Sequence, residues 1–191
     1  MLLIADEIQT GLGRTGKMFA CQHEGVRPDI TVIGKALGGG FYPVSAALAD
    51  RWLLGLFEPG EHGSTFGGNP LACVAALTTL AIIEEEGLLK GADRIGTKIR
   101  DGLAANLAGT SGIRTIRGKG LMIGVELDQP CGELVQRGLE SGLLINVTAE
   151  TVIRLLPPLN LKDDEVQMLI DRLSGIIKSF LDANVAAAAP T

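Results

Sequence analysis

The sequence predicts an α/β fold in its first half, followed by a smaller α+β region. Three observations predict it. Apolar runs of strand length, Leu2–Ala5, Ile30–Ile33 and Val44–Ala49, are separated by glycine-rich and turn-forming segments. A long apolar stretch, Leu71 to Glu86, opens on Asn69-Pro70, residues suited to a helix N-cap and first position. Beyond residue 110 short strand and helix patterns alternate, and the last is an amphipathic helix. At 191 residues and 46% hydrophobic, the chain has the length for one domain or one and a half and the apolar content for a sizeable core.

Taken in order, Leu2–Ala5 is a strand that ends in two carboxylates, Asp6-Glu7. A glycine-rich loop spans 10–16, a short helix is expected over Phe19–His23, and Pro28-Asp29 turns the chain into the strand Ile30–Ile33. Gly34-Lys35-Ala36-Leu37-Gly38-Gly39-Gly40 follows, then the strand Val44–Ala49. The helix after Asn69-Pro70 is apolar on most sides, so it should be largely buried, and Gly87 ends it. Residues 88–108 form a second helix with Leu89, Ile95, Ile99, Leu103 and Leu107 on one stripe. Strands at Ile113–Ile116 and Leu121–Leu127 flank Arg117-Gly118-Lys119-Gly120. A helix follows at Gly132–Ser141, then strands at Leu143–Val147 and Val152–Leu156. Pro157-Pro158 breaks the chain before the helix Asp163–Leu181, whose Val166, Leu169, Ile170, Leu173, Ile176, Ile177 and Phe180 share a face. The expected division is residues 1–100, part of a larger domain, residues 101–181, a small domain, and residues 182–191, a frayed tail.

Composition narrows the function. A net charge of −5, pI ≈ 5.1 and no basic cluster with interleaved aromatics argue against a nucleic-acid partner. No apolar run approaches the ~20 residues of a membrane span. Cys21, Cys73 and Cys131 are an odd, widely spaced set without metal-ligand spacing, and read as free thiols. No signal-peptide pattern follows Met1, and a cytoplasmic location is the expectation. Glycine, 26 of 191 residues, is about twice its usual ~7%, which suits tight turns near a ligand.

The chemistry concentrates at Lys35 and Asp6. A lysine held beside three glycines can lose its proton more easily than a surface lysine, and a neutral amine attacks a carbonyl to form a Schiff base. A surface lysine in a glycine-rich turn is the alternative. A carboxylate at the carboxyl end of a buried strand points into the crevice where open α/β sheets bind ligands; a strand-end turn residue is the alternative for Asp6. The two lie 35 − 6 = 29 residues apart, about a strand, a crossover and the next strand. Pyridoxal phosphate needs that pair: an amine for its aldehyde, and an acid to keep its pyridine nitrogen protonated.

Asp6-Glu7-Ile8-Gln9-Thr10-Gly11-Leu12-Gly13-Arg14-Thr15-Gly16, then Gly34 to Gly40, then His62-Gly63-Ser64-Thr65-Phe66-Gly67-Gly68-Asn69-Pro70-Leu71-Ala72 resemble the class III (ω-amino) aminotransferases in motif, order and spacing. The resemblance runs from residue 1 to about 181, and the motifs begin in the middle of the family's pattern, so the chain is expected to be the second half of such an enzyme. It implies the pyridoxal-phosphate-dependent transferase fold type I, here part of the large-domain sheet plus the C-terminal α+β small domain.

The same resemblance implies pyridoxal 5'-phosphate as cofactor and no metal. Lys35 would hold it covalently and then move a proton. Asp6 would face the pyridine nitrogen, and Ile8, where the family more often has valine, would pack on the ring. Gln9 would bond the phenolic oxygen; a solvated loop amide is its alternative. Ser64 and Thr65 would reach the phosphate of a neighbouring subunit, making the protein a homodimer in which Thr65 crosses the interface; a plain turn is their alternative. Arg154 would grip the substrate α-carboxylate, with a structural ion pair as the alternative. His23 and His62 show no partner in the sequence, Arg14 and Arg117 have no assignable role, and Glu84-Glu85-Glu86 reads as a solvated helix end.

Gly38–Ala46 and Pro59–Thr65 are similar to ornithine δ-aminotransferases, whereas Arg117–Leu127, Leu143–Thr148 and the Arg154 strand are similar to bacterial acetylornithine aminotransferases. The longer portion favours transfer of the terminal amine of N-acetylornithine to 2-oxoglutarate, in arginine biosynthesis. The alternatives are ornithine as donor, a class III relative such as an aminomutase, or an inactive fragment acting as an interaction module. Alone, the chain is expected not to transaminate.

Overall fold

The computed structural model describes residues 1–188. The chain divides into two compact units, Met1–Gly91 and one that starts at Ala92. The first unit carries a three-stranded sheet in the order β1-β2-β3. β1 (Ile4–Asp6) runs parallel to β2 (Ile30–Ile33), with Ile4 opposite Ile30 and Asp6 opposite Val32. β3 (Ala46–Ala49) pairs antiparallel with β2. β-Branched Ile-Thr-Val-Ile suits the central strand, where the pleat packs them on both faces. β1 starts two residues later than the apolar run suggests. Leu3 is instead tied to Asp29 ahead of β2, its N–H donating to Asp29 Oδ2 at 2.7 Å.

The crossover from β1 to β2 is a loop whose expected helix, Phe19–His23, is a single 3-10 turn at Ala20–His23. A one-turn α1 (Arg51–Leu54) follows β3. α2 (Pro70–Glu85) begins as the sequence predicts: Asn69 Oδ1 accepts from the Ala72 N–H at 3.0 Å, and Pro70 takes the first position, where no N–H is needed. The expectation that α2 is largely buried needs correction. Only Ala72 and Ile83 are buried, while Leu71, Val74, Leu77 and Ile82 are exposed. A helix apolar all round needs cover on every side. Here the Lys35 loop covers one side: a Cβ on Gly39 would stand 2.7 Å from Thr79 Oγ1.

α3 (Leu88–Asn106) carries the chain into the second unit. There β4 (Ile113–Lys119), β5 (Met122–Leu127), β6 (Asn146–Thr148) and β7 (Val152–Leu155) form an antiparallel sheet in the order β4-β5-β7-β6. α4 (Leu134–Glu140) and α5 (Asp163–Ala188) complete it. The core joins Ile99 and Leu103 of α3, Ile123 and Val125 of β5, Ile153 of β7, and Leu173 and Ile177 of α5, all fully or almost fully buried. Alternation does the sorting: Ile123, Val125 and Leu127 face inward, and Met122, Gly124 and Glu126 face the other way. α3 rests directly on the β4–β5 turn, since a Cβ on Gly96 would fall 1.9 Å from the Gly120 carbonyl oxygen. Asp163 at the start of α5 pairs with Lys98 (2.9 Å) and Arg94 (3.2 Å) of α3. α5 continues past Leu181, so the tail expected to fray from Asp182 is helical through Ala188; residues 189–191 lie outside the described residues.

Candidate functional site

Parallel pairing of β1 and β2 brings their carboxyl ends to one edge of the sheet. Asp6 is the last residue of β1, opposite Val32, and Lys35 stands two residues beyond β2. Ile8 connects the two turns: an added Cβ on Gly34 would lie 3.7 Å from Ile8 Cγ2 and 3.4 Å from the Ser45 Cβ. The loop after Asp6 thus packs against the residue that precedes Lys35. The backbone of Lys35 is left-handed, φ 46°. A non-glycine residue there is strained by an amount on the order of 1–3 kcal/mol, and such strain gathers at functional sites. The conformation turns the chain out of the strand into a 3-10 turn, Lys35–Gly38, closed by Gly39 and Gly40, both at positive φ.

Lys35 lines an open pocket of about 660 Å³ with Tyr42, Ser45, Phe66, Gly67 and Asn69. That volume lies within the ~300–1,000 Å³ usual for small-molecule sites. The sequence marks none of Tyr42, Ser45 and Asn69 as a site residue, although Tyr42 and Ser45 belong to the Gly38–Ala46 motif and Asn69 reads as a helix cap. Asp6 Oδ1 accepts from the Ile8 N–H at 3.1 Å, and its side chain is exposed. Gln9 is half-buried in the same loop. Ser64 Oγ accepts from the Gly67 N–H at 2.8 Å, so Ser64 builds the turn ahead of α2, and Thr65 is exposed beside it.

Glu7 organises the loop. Strand alternation sends it to the opposite side from Asp6, where it is 3% exposed. Its carboxylate accepts from the Thr10 hydroxyl and, at 2.8 Å, from the Cys21 N–H. Burial alone would raise its pKa, but these donors and the Ala20 N–H outweigh burial and hold the carboxyl below the usual range. The Cys21 thiol is pushed up, by burial first and then by Glu7. The partner that the sequence did not show for His23 is Thr15, whose carbonyl oxygen lies 3.0 Å from His23 Nε2. His62 stacks obliquely on Phe57, their centroids 5.7 Å apart.

In the second unit Arg154 occupies the middle of β7, between the buried Ile153 and Leu155. Gly124 of β5 is its register partner on one side and Asn146 of β6 on the other. Its Nε is buried and, among the described residues, has no hydrogen-bond partner. Arg154 lines a second pocket, about 470 Å³, with Asn146, Leu144, Pro157 and Leu161. Arg117 has a structural role: with Arg114 it holds Glu126 across the β4–β5 hairpin. The Arg117 hydrogen bond comes first among the causes that depress the Glu126 carboxyl.

The family described as aminotransferase class-III matches residues 1–177. The chain belongs to that family. It is 52% identical over 180 residues to acetylornithine aminotransferase 1 of Bordetella bronchiseptica, an alignment that covers 94% of this chain and 46% of that protein. Among solved structures, the ornithine aminotransferase of Toxoplasma gondii ME49 superposes with a TM-score of 0.92 at 40% identity, over 96% of this chain and 44% of that one. The acetylornithine aminotransferase of Elizabethkingia anophelis gives 0.88 at 42% identity, over 94% and 48%. The chain therefore spans about half the length of the curated relatives it matches.

Class III aminotransferases depend on pyridoxal phosphate, and the first unit fits that group. Lys35, strained and exposed, lines a pocket of suitable volume, an acid stands at the same sheet edge, and Ile8 supplies an apolar side chain beside Gly34, but Asp6, Ile8, Gln9, Ser64 and Thr65 are not among the residues that line that pocket. Among the described residues no group of three or more His, Cys, Asp or Glu could hold a metal, and no helix is long and apolar enough to cross a membrane.

Proposed function

We propose that this chain carries the lysine-bearing part of a pyridoxal-phosphate-dependent aminotransferase that moves the terminal amine of N-acetylornithine to 2-oxoglutarate. The observation that carries the reading is Lys35, strained and pocket-lining, at the edge where β1 and β2 end side by side. Bound there, pyridoxal phosphate supplies an aldehyde carbon and an electron-withdrawing ring.

The residues of the chain do the rest. Lys35 Nζ would hold the cofactor and, once released, would move a proton from the substrate carbon to the carbon that had carried the cofactor's aldehyde. The Asp6 carboxylate keeps the ring nitrogen charged. Ile8 and Gln9 orient the ring, and Ser64 and Thr65 offer hydroxyls to a phosphate across a homodimer interface. The Arg154 fork takes a substrate carboxylate. A place in arginine biosynthesis and a cytoplasmic location belong to the same reading. The 52% identity to the Bordetella relative supports N-acetylornithine over ornithine as donor.

A second reading has one observation in its favour. Leu2, Leu3 and Ile4 at β1 and Leu71, Val74 and Leu77 on α2 are exposed, as in an interaction module without chemistry. A chimera separates the two readings, with this chain replacing the matching part of the Bordetella enzyme. Turnover of N-acetylornithine with 2-oxoglutarate that Lys35→Ala abolishes supports the enzyme, and a folded but inactive chimera supports the module.

A further inference from the structure

We propose that Asn146 is a second carboxylate-binding residue, and that it reads one carboxylate oxygen while Arg154 reads the other. The proposal rests on the reading of Arg154 as a carboxylate grip and deepens it. Asn146 and Arg154 are register partners in the antiparallel pair β6–β7. Directly opposed residues project to the same face of the sheet, with Cβ atoms ~5 Å apart. Both side chains line the same pocket of about 470 Å³.

The surroundings leave this pair for an external anion. On the other flank of Arg154 stands Gly124, which has no side chain to compete. The next residue along β5 on that face is Glu126, and its two oxygens are taken by Arg114 and Arg117. The Arg154 Nε is buried without a partner among the described residues. An unmet buried donor on a cation is costly, and a carboxylate that pairs with the guanidinium from the pocket offsets that cost. A guanidinium edge presents two parallel donors to a carboxylate, which has lone pairs left over. The Asn146 amide can fill one of them without adding charge. Leu144, Pro157 and Leu161 line the rest of the pocket with carbon, so the ligand class is a carboxylate on an aliphatic chain. That chemistry is shared by the amino-acid donor and by 2-oxoglutarate.

The test uses the full chain and two probes, N-acetylornithine and 2-oxoglutarate, titrated separately while 1H–15N spectra record the Asn146 side-chain NH2 and the Arg154 Nε–H. Both signals should move and saturate at one concentration for at least one probe, and the probe that saturates lower identifies the carboxylate read. Asn146→Ala should weaken binding by about five-fold, the loss of roughly one net hydrogen bond. Asn146→Asp, which offers Arg154 an internal acceptor, should weaken it more. Asn146 is exposed, so both variants should keep the dispersed spectrum of the parent. Saturating shifts at Arg154 with unchanged affinity in both variants would overturn the proposal and leave the Arg154 grip standing. No shift at Arg154 with either probe would overturn both.

Discussion

Glu7 gives the sharpest test of how the site loop is held. Its carboxylate is 3% exposed and takes donors from Thr10, Cys21 and Ala20, on the strand end that also presents Asp6. Hydrogen bonds to a charged acceptor are worth about 1.5–3 kcal/mol each. Glu7→Gln keeps one acceptor oxygen and the volume but loses the charge, which accounts for about half the strength of such bonds. Over three donors the expected loss is therefore about 2–4 kcal/mol, or a Tm lower by roughly 10–20 °C for a unit of this size.

The pH dependence has a definite sign. The donors hold the folded carboxyl below its unfolded value of about 4.3. The stabilisation is complete above that value and is lost as pH falls through the lower folded pKa. Thermal unfolding from pH 7 down to pH 3 should show this acid limb in the parent and a flatter profile in Glu7→Gln. Equal midpoints at pH 7, or parallel acid limbs in the two proteins, would refute the reasoning.

Other positions give independent checks. Asn69→Ala removes the cap on α2 and should cost about 1 kcal/mol, with faster amide exchange in the first turn, at Ala72 above all. Gly96→Ala places a Cβ 1.9 Å from a backbone oxygen. Overpacking of this kind costs typically 1–3 kcal/mol or more, and the urea midpoint of the second unit should fall accordingly. Ile123→Ala, in the centre of the same core, should cost about 2–5 kcal/mol by denaturant unfolding, with the m-value unchanged.

The strands and helices were legible wherever pattern and packing agree. α5 shows Val166, Ile170, Leu173, Ile177 and Phe180 on the buried face that their spacing predicts, because in the second unit one helix face meets one sheet face. The Asn69-Pro70 start was legible because capping is local chemistry. The burial of α2 was not, since hydrophobicity all round a helix names no neighbour. The helix expected at Phe19–His23 is a single 3-10 turn, and the buried Glu7 carboxylate accepts from its Cys21 N–H, a first-turn donor that a helix leaves without an internal partner. At the site, Asp6 and Lys35 stood out by type and spacing, and parallel pairing places them at one edge. Glu7 adjoins Asp6 in the sequence without a motif that marks its role, although alternation alone puts it on the other side. Asn146 carried no signal until β6 was paired with Arg154.

Lys35 is the one amine of this chain expected to take up the cofactor. Incubating the chain with pyridoxal phosphate, reducing with borohydride and mapping the digest by mass spectrometry tests this directly. A single pyridoxyl mass increment on the peptide containing Lys35, lost in Lys35→Ala, is the predicted result. Label spread over Lys17, Lys90 and the other lysines, or none at Lys35, would contradict it.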